Sequence, residues 1–300
     1  MKTAKHADWR SPGELRDAYL FTAPLIFFAA AFMLLPLAGT FVAGLHQDVT
    51  FLSKEFIGLD NYRSILNDPQ FLQAAKFTLG FVVVSVSLEM LLGLGFALVL
   101  NEGLRLRGLL RVAVLIPWAI PIAVSARVWE LMFNFDYGLF NFVGLELGLT
   151  SAPVNWLGTS TGAFLSLVLS DVWKTTPFVA IILLAGISAI PRDYYKQAAV
   201  DGAGALQRFF RITLPLLKPA LIVALLFRTI DAVRVFDIVY VLTRGGPGGD
   251  TTSLSLYAFK YFLTGDFGYG SAVSIIVFLI AAGFSVVYIR FGRFARALGS

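Results

Sequence analysis

Long apolar runs separated by short polar connections organise this chain. They lie at about 19–45, 72–101, 108–133, 162–189, 219–243 and 270–290. Each reaches the roughly 20 residues that a helix needs to cross hydrocarbon, and the alternating segments of a membrane barrel are absent. The pattern predicts an all-α fold: a polytopic membrane bundle of six transmembrane helices, without a repeat array. The first run follows Lys2, Lys5, Arg10 and Arg16 and outlasts the roughly 7–15-residue core of a cleaved signal peptide, so it reads as a retained span. Residues 1–18 then form an N-terminal segment and residues 19–300 one transmembrane domain.

Composition agrees with that reading. The chain is 57% hydrophobic and 14% charged, against about 25% charged in a soluble domain. It has no cysteine, which excludes disulfides, iron–sulfur clusters and thiolate zinc sites. Its two histidines, His6 and His46, fall outside the apolar runs, which excludes a buried histidine relay or metal site.

Charge then orients the bundle. Six spans put both termini on one side, with Lys2, Lys5, Arg10, Arg16, Arg105, Arg107, Arg111, Arg192, Lys196, Arg208, Arg211, Lys218, Arg290, Arg293 and Arg296. The opposite connections hold only Lys54, Arg63, Arg244 and Lys260. Bases resist translocation, so the richer side, with the N- and C-termini and the connection at about 190–218, is cytoplasmic. The net charge of +5 follows from this asymmetry and needs no nucleic-acid partner. On the outer side, 46–69, 134–160 and RGGPGGDTTS from Arg244 are rich in turn residues and aromatics, and read as ordered caps or flexible loops.

Several charges lie inside the spans. Arg228, Asp231, Arg234 and Asp237 recur every third residue in the fifth run, where alternating signs pair along a helix face. Facing lipid, each would cost roughly 2.5–3.5 kcal/mol at the centre, so the stripe must face protein or water. Asp171 with Lys174, and Arg127 with Glu130, repeat the spacing, while Glu89 has no local partner and can reach Arg127 or Arg228. Pro117, Pro121 and Pro177 remove helix hydrogen bonds, so the third and fourth spans should kink or break. Broken helices mark cargo sites in transporters. The candidate path therefore lies between the third, fourth and fifth spans, with Asp171, Lys174, Asp231, Arg234 and Asp237 as polar contacts and Trp118, Trp173 and Tyr240 as stacking surfaces. Each of these also has a structural reading, as interhelical glue or plain aromatic packing.

One cytoplasmic stretch, YYKQAAVDGAGALQRFFRITLPLLKP at Tyr194–Pro219, interrupts the apolar pattern. Pro191 suits a helix start, and Arg192–Ala199 can form about two turns, too short to be stable without a packing partner. Gly202 and Gly204 allow a sharp turn, and Asp201 can cap the helix that follows. From Ala205 an apolar face flanked by Arg208, Arg211 and Lys218 predicts a helix on the membrane surface, with Pro219 starting the next span.

This stretch resembles the coupling loop of the permease subunits of ATP-binding-cassette importers, whose pattern is Glu-Ala-Ala, three residues, Gly, nine residues, Ile, one residue, Leu-Pro. Lys196, Gln197 and Ala198 take the first three places, then Gly202, Ile212, Leu214 and Pro215 follow without a gap. The resemblance implies a type I importer permease fold, and that Arg192–Ala203, including Asp201 and Ala203, docks into a cleft on an ATPase subunit. Lys196 and Gln197 depart from the usual Glu-Ala, which implies docking by shape and apolar contact more than by a carboxylate. FDIVYVLTRGGP from Phe236, DVWKTTPF from Asp171 and FIGLDNYRSIL from Phe56 resemble the carbohydrate-uptake subgroup (maltose, trehalose and glycerol phosphate). That implies a sugar or polyol phosphate cargo, a second permease subunit, two copies of an ATPase, an extracytoplasmic solute-binding protein and a bacterial or archaeal plasma membrane.

The chain has no Gly-Lys dipeptide, hence no phosphate-binding loop of the GxxxxGK[ST] kind. ATP and Mg²⁺ are expected in the partner ATPase, with no cofactor and no metal in this chain. No HExxH or GxSxG is present, so no catalytic residue is nominated. Two other classes stay open: an ion-coupled secondary transporter using Asp231 or Glu89, and a polytopic enzyme acting on lipid.

Overall fold

The structure, a computed structural model, describes residues 12–102 and 107–297. Lys2, Lys5, Arg10 and Arg105 of the charge count, and His6, lie outside the described residues. In chain order the elements are α1 (Pro12–Ala29), a π turn (Ala30–Leu34), α2 (Leu35–Ala43), β1 (His46–Gln47), β2 (Glu55–Phe56), α3 (Asp60–Asn67), α4 (Pro69–Asn101), α5 (Arg107–Ala119), α6 (Ile122–Met132) and α7 (Leu139–Glu146). They continue with α8 (Ser160–Ser188), α9 (Arg192–Val200), α10 (Ala205–Arg208), a second π turn (Phe209–Thr213), α11 (Leu214–Val233), α12 (Asp237–Leu242), α13 (Leu254–Thr264) and α14 (Phe267–Ala297).

Among the described residues five helices are long and apolar enough to cross a membrane: Arg16–Ala43, Pro69–Asn101, Ser160–Ser188, Ala205–Val233 and Phe267–Arg290. The third expected span, 108–133, is not one rod. Its halves, Gly108–Ala119 and Ile122–Met132, meet at 89°. Pro121 has no N–H to give the Pro117 carbonyl, and the helix stops there. The expected break at Pro177 does not occur: α8 runs unbroken through it, held between α4 and α11, and is the most buried of the spans.

The fifth span departs from expectation at both ends. The surface helix expected from Ala205 is the N-terminal extension of the span itself, and Pro219 lies inside a helix that continues to Val233. Both π turns directly precede a helix with proline in its first turn, Pro36 or Pro215; widening the turn relieves the missing N–H without ending the helix. At the other end, expected to be helical to 243, the helix stops at Val233 and resumes only at Asp237. There α12 packs against α6, so the segments beyond the two breaks hold each other.

A small residue sets the approach of α4 to α8. A Cβ on Gly93 of α4 would lie 2.6 Å from Val179 Cγ1 and 3.2 Å from the Ala180 nitrogen of α8, an approach typical of small residues between membrane helices. Gly93→Val should therefore lower stability by about 1–3 kcal/mol through overpacking, read as a lower thermal midpoint in detergent.

The connecting segments expected on the outer side are ordered caps. Asn141 makes four bonds: its Nδ2 donates to the Phe135 and Val154 carbonyls, and its Oδ1 accepts from Val154 N and Trp156 Nε1. Asp250 accepts from Gln73 Nε2 and Ser160 Oγ, tying the 244–253 turn to the outer ends of α4 and α8. Asp68 caps α4, accepting from Gln70 N at 2.8 Å and from the Tyr257 and Tyr269 hydroxyls. Burial pushes its carboxyl up, but these bonds outweigh burial and hold it below the ordinary value.

Candidate functional site

The two helix breaks and α8 together line a cavity of about 650 Å³ that is open on one side. Residues 118–122 of the first break form one wall, Asp171, Lys174, Thr175 and Phe178 of α8 the second, and residues from Arg228 to Ile238 around the other break the third. Backbone that leaves a helix at membrane depth is tolerated only where protein or water satisfies it.

Along its wall runs an ion-pair network linking three spans, with Asp171, Arg228, Asp231 and Arg234 in the lining and Glu89 behind them. Arg228, 4% exposed, donates side-on to the fully buried Glu89, Nε to Oε2 at 2.5 Å and Nη2 to Oε1 at 3.0 Å. The same Nη2 reaches Asp171 at 3.2 Å, and Nη1 lies 3.6 Å from Asp231. Asp231 in turn accepts from Arg234 at 2.8 Å. Of the two partners open to Glu89, Arg228 takes it, while Arg127 pairs with Glu130 at 2.6 Å. Two expected pairs do not form. The helix ends between Arg234 and Asp237, separating them, and Lys174 turns from Asp171 to donate to the carbonyls of Pro117, Trp118 and Ile120.

Six of the eight expected path residues, Trp118, Asp171, Lys174, Asp231, Arg234 and Asp237, line this one cavity. Trp118 stacks on Phe178 at 6.3 Å, and Phe178 stands edge-on to Phe227 at 6.1 Å. Trp173 and Tyr240 lie outside the lining, in separate aromatic groups. Trp173 packs edge-on to Trp129, and Tyr240 stacks on Phe236 and meets Phe259. Phe178 and Phe236, which also line the cavity, are not among the expected path residues, although each lies in a stretch that carries the family resemblance, at the end of DVWKTTPF and the start of FDIVYVLTRGGP.

At the base-rich end of the bundle, α9 has no buried residue and carries the stretch Lys196, Gln197, Ala198. Its end is a Schellman turn. Gly202, at φ +76°, donates to the Ala199 carbonyl, and the Ala203 N–H reaches the Ala198 carbonyl. Asp201 is the C-cap of α9, not the N-cap of the following helix, which is Gly204; the tight turn needs Asp201 in the closing turn. Lys196 donates to Asp193 at 2.8 Å, so its charge has a partner on its own helix. The Tyr195 and Thr213 hydroxyls meet at 3.0 Å, tying α9 to the base of the fifth span. Val200, Leu206 and Phe210 are exposed around this turn, an uncovered apolar surface among bases.

Residues 89–298 match the sequence profile of a family described as binding-protein-dependent transport system inner membrane component. The trehalose/maltose transport system permease protein of Thermococcus litoralis is 56% identical over 284 residues, spanning 94% of this chain and 96% of its own. The sulfoquinovosyl glycerol transport system permease protein of Agrobacterium fabrum is 37% identical, spanning 95% and 93%. The backbone is similar to a chain in the crystal structure of a bacterial alginate ABC transporter in complex with alginate pentasaccharide-bound periplasmic protein. There the TM-score is 0.80 at 25% identity, covering 93% of this chain and 95% of that one.

Proposed function

This chain belongs to the family of inner membrane components of binding-protein-dependent transport systems, and from that premise we propose that it forms half of the path by which an ATP-driven importer carries a sugar. The chain is a multi-pass permease subunit, not an enzyme. The observation that carries the proposal is the cavity between the two helix breaks. Its wall offers Trp118, 52% exposed, as a ring-stacking surface, with Asp231, Arg234 and Asp237 alongside as acceptors and donors for hydroxyls.

The open side of the cavity supports a second permease subunit. The side chains of Asp231 and Arg234 are 46% and 65% exposed, and lipid cannot cover them without the insertion cost of charge. The first span has none of its length buried, leaving a long surface for such a partner. Exposed α9 and its apolar rim support docking to one of two ATPase copies, which would hold ATP and Mg²⁺. Stronger docking to one ATPase state than to the other is what moves the spans, because equal docking would shift nothing. The base-rich side, with both termini and α9, is then cytoplasmic, and the cap of α3, α7 and α13 meets the solute-binding protein.

Reconstitution with the second permease, the ATPase and the binding protein tests this. Uptake that needs ATP on the α9 side and the binding protein on the other supports it. Uptake by the chain alone, driven by a proton or sodium gradient, would sink it in favour of the ion-coupled alternative. Within the path, Trp118→Ala should raise the half-saturation concentration about tenfold, roughly 1.4 kcal/mol, with little change in maximal rate. Tyr240→Ala, outside the lining, should change it less than threefold.

A further inference from the structure

We infer that Lys174 is a positioning residue: its ammonium caps the severed end of α5 and so fixes the cavity wall that carries Trp118, instead of meeting cargo. The need arises from sequence. In an unbroken helix the Pro117 carbonyl would accept from the N–H of residue 121, but residue 121 is a proline and has none. The carbonyls of Trp118 and Ile120 fall at the same end, where α5 stops and the chain turns through 89°. Unmet carbonyls at membrane depth are costly, and the C-terminal end of a helix carries partial negative charge.

Lys174 answers both needs. It reaches from the neighbouring α8, is 5% exposed, and donates to the Pro117 and Trp118 carbonyls at 3.3 Å each and to that of Ile120. An ammonium has three N–H donors and no acceptor, so this set uses all of them and leaves none for a sugar hydroxyl. No carboxylate lies within ion-pair distance of it among the described residues; Asp171, one turn away, is taken by Arg228. Trp118 contributes both a capped carbonyl and the ring stacked on Phe178. Releasing the cap therefore frees the aromatic surface itself.

The chain has no cysteine, so single added cysteines report locally. Ala119→Cys at the break and Phe236→Cys at the opposite wall are labelled in membranes with N-ethylmaleimide, in the full assembly without cargo or ATP, in Lys174, Lys174→Met and Lys174→Gln backgrounds. Lys174→Met should change the labelling rate at 119 at least about fivefold and leave 236 within twofold. Lys174→Gln, which keeps two N–H donors, should fall between. Half-saturation for uptake should follow the same order. Labelling at 119 unchanged in both variants would overturn the inference; unchanged labelling with weaker uptake would identify a cargo contact. If Lys174→Met does not reach the membrane, Lys174→Gln decides by the same labelling, and failure of both to accumulate also overturns it, since an amide should meet a capping role in part. The inference rests on the cavity being the path only for its uptake arm. Labelling is read without transport, so its failure is distinct from failure of the proposed function.

Discussion

Glu89→Ala is expected to destabilise the folded permease by about 3–5 kcal/mol, read as a large fall in thermal midpoint and in the amount of monodisperse protein recovered in detergent. Arg228 is 4% exposed and buries its guanidinium side-on against this carboxylate. Removing the carboxylate leaves a cation that an arginine cannot relieve by losing its proton. Asp171 and Asp231 remain as partners at 3.2 and 3.6 Å, but neither matches the two parallel bonds to Glu89. The double substitution Glu89→Ala with Arg228→Leu should recover much of the loss, because replacing a whole buried pair with apolar groups is often neutral or better. A midpoint for Glu89→Ala equal to that of the unaltered chain would show that the network contributes no stability.

The second large effect falls on transport rather than on folding. Gly202→Val should reduce ATP-driven uptake at least about tenfold and weaken ATPase co-purification, while leaving the thermal midpoint of the bundle nearly unchanged. Gly202 has φ +76°, and a Cβ there would meet nothing within 4 Å. The effect is therefore one of backbone alone: a β-branched residue disfavours the left-handed conformation by roughly 1–2 kcal/mol, and the Schellman turn that ends α9 opens. Gly204 supplies the control. It also faces open space, but its φ is −67°, which any residue adopts, so Gly204→Ala should transport normally. Equal uptake by Gly202→Val would mean that the shape of this turn does not matter for coupling.

The spans were legible because hydrocarbon thickness imposes a length that composition reveals directly. The first break was legible too, since Pro117 and Pro121 remove named hydrogen bonds. The second break was not. Arg234-Val235-Phe236 contains neither glycine nor proline, and the helix stops there because α12 packs on α6, a tertiary cause with no local signature. The same limit explains Lys174. Spacing along one helix suggested Asp171, three residues away, whereas its bonds go to carbonyls exposed on a different span. Glu89 illustrates the reverse case: an acid with no local partner in an apolar run had to find a distant base, and Arg228 was one of two within reach. The surface helix expected from Ala205 up to Pro219 was misread because prolines usually end helices; here a π turn precedes Pro215 and the helix runs on through Pro219.

The unbroken helix from Ala205 to Val233, 29 residues, is about 43 Å long at 1.5 Å per residue. One end adjoins the Schellman turn and is pinned to Tyr195 through Thr213; its far end holds Arg228 and Asp231. A stiff strut of that length, tilting about 10° around a pivot at one end, swings the other by about 7.5 Å. A tilt imposed at the α9 end would thus be felt at the ion-pair network without any relay of side chains between them.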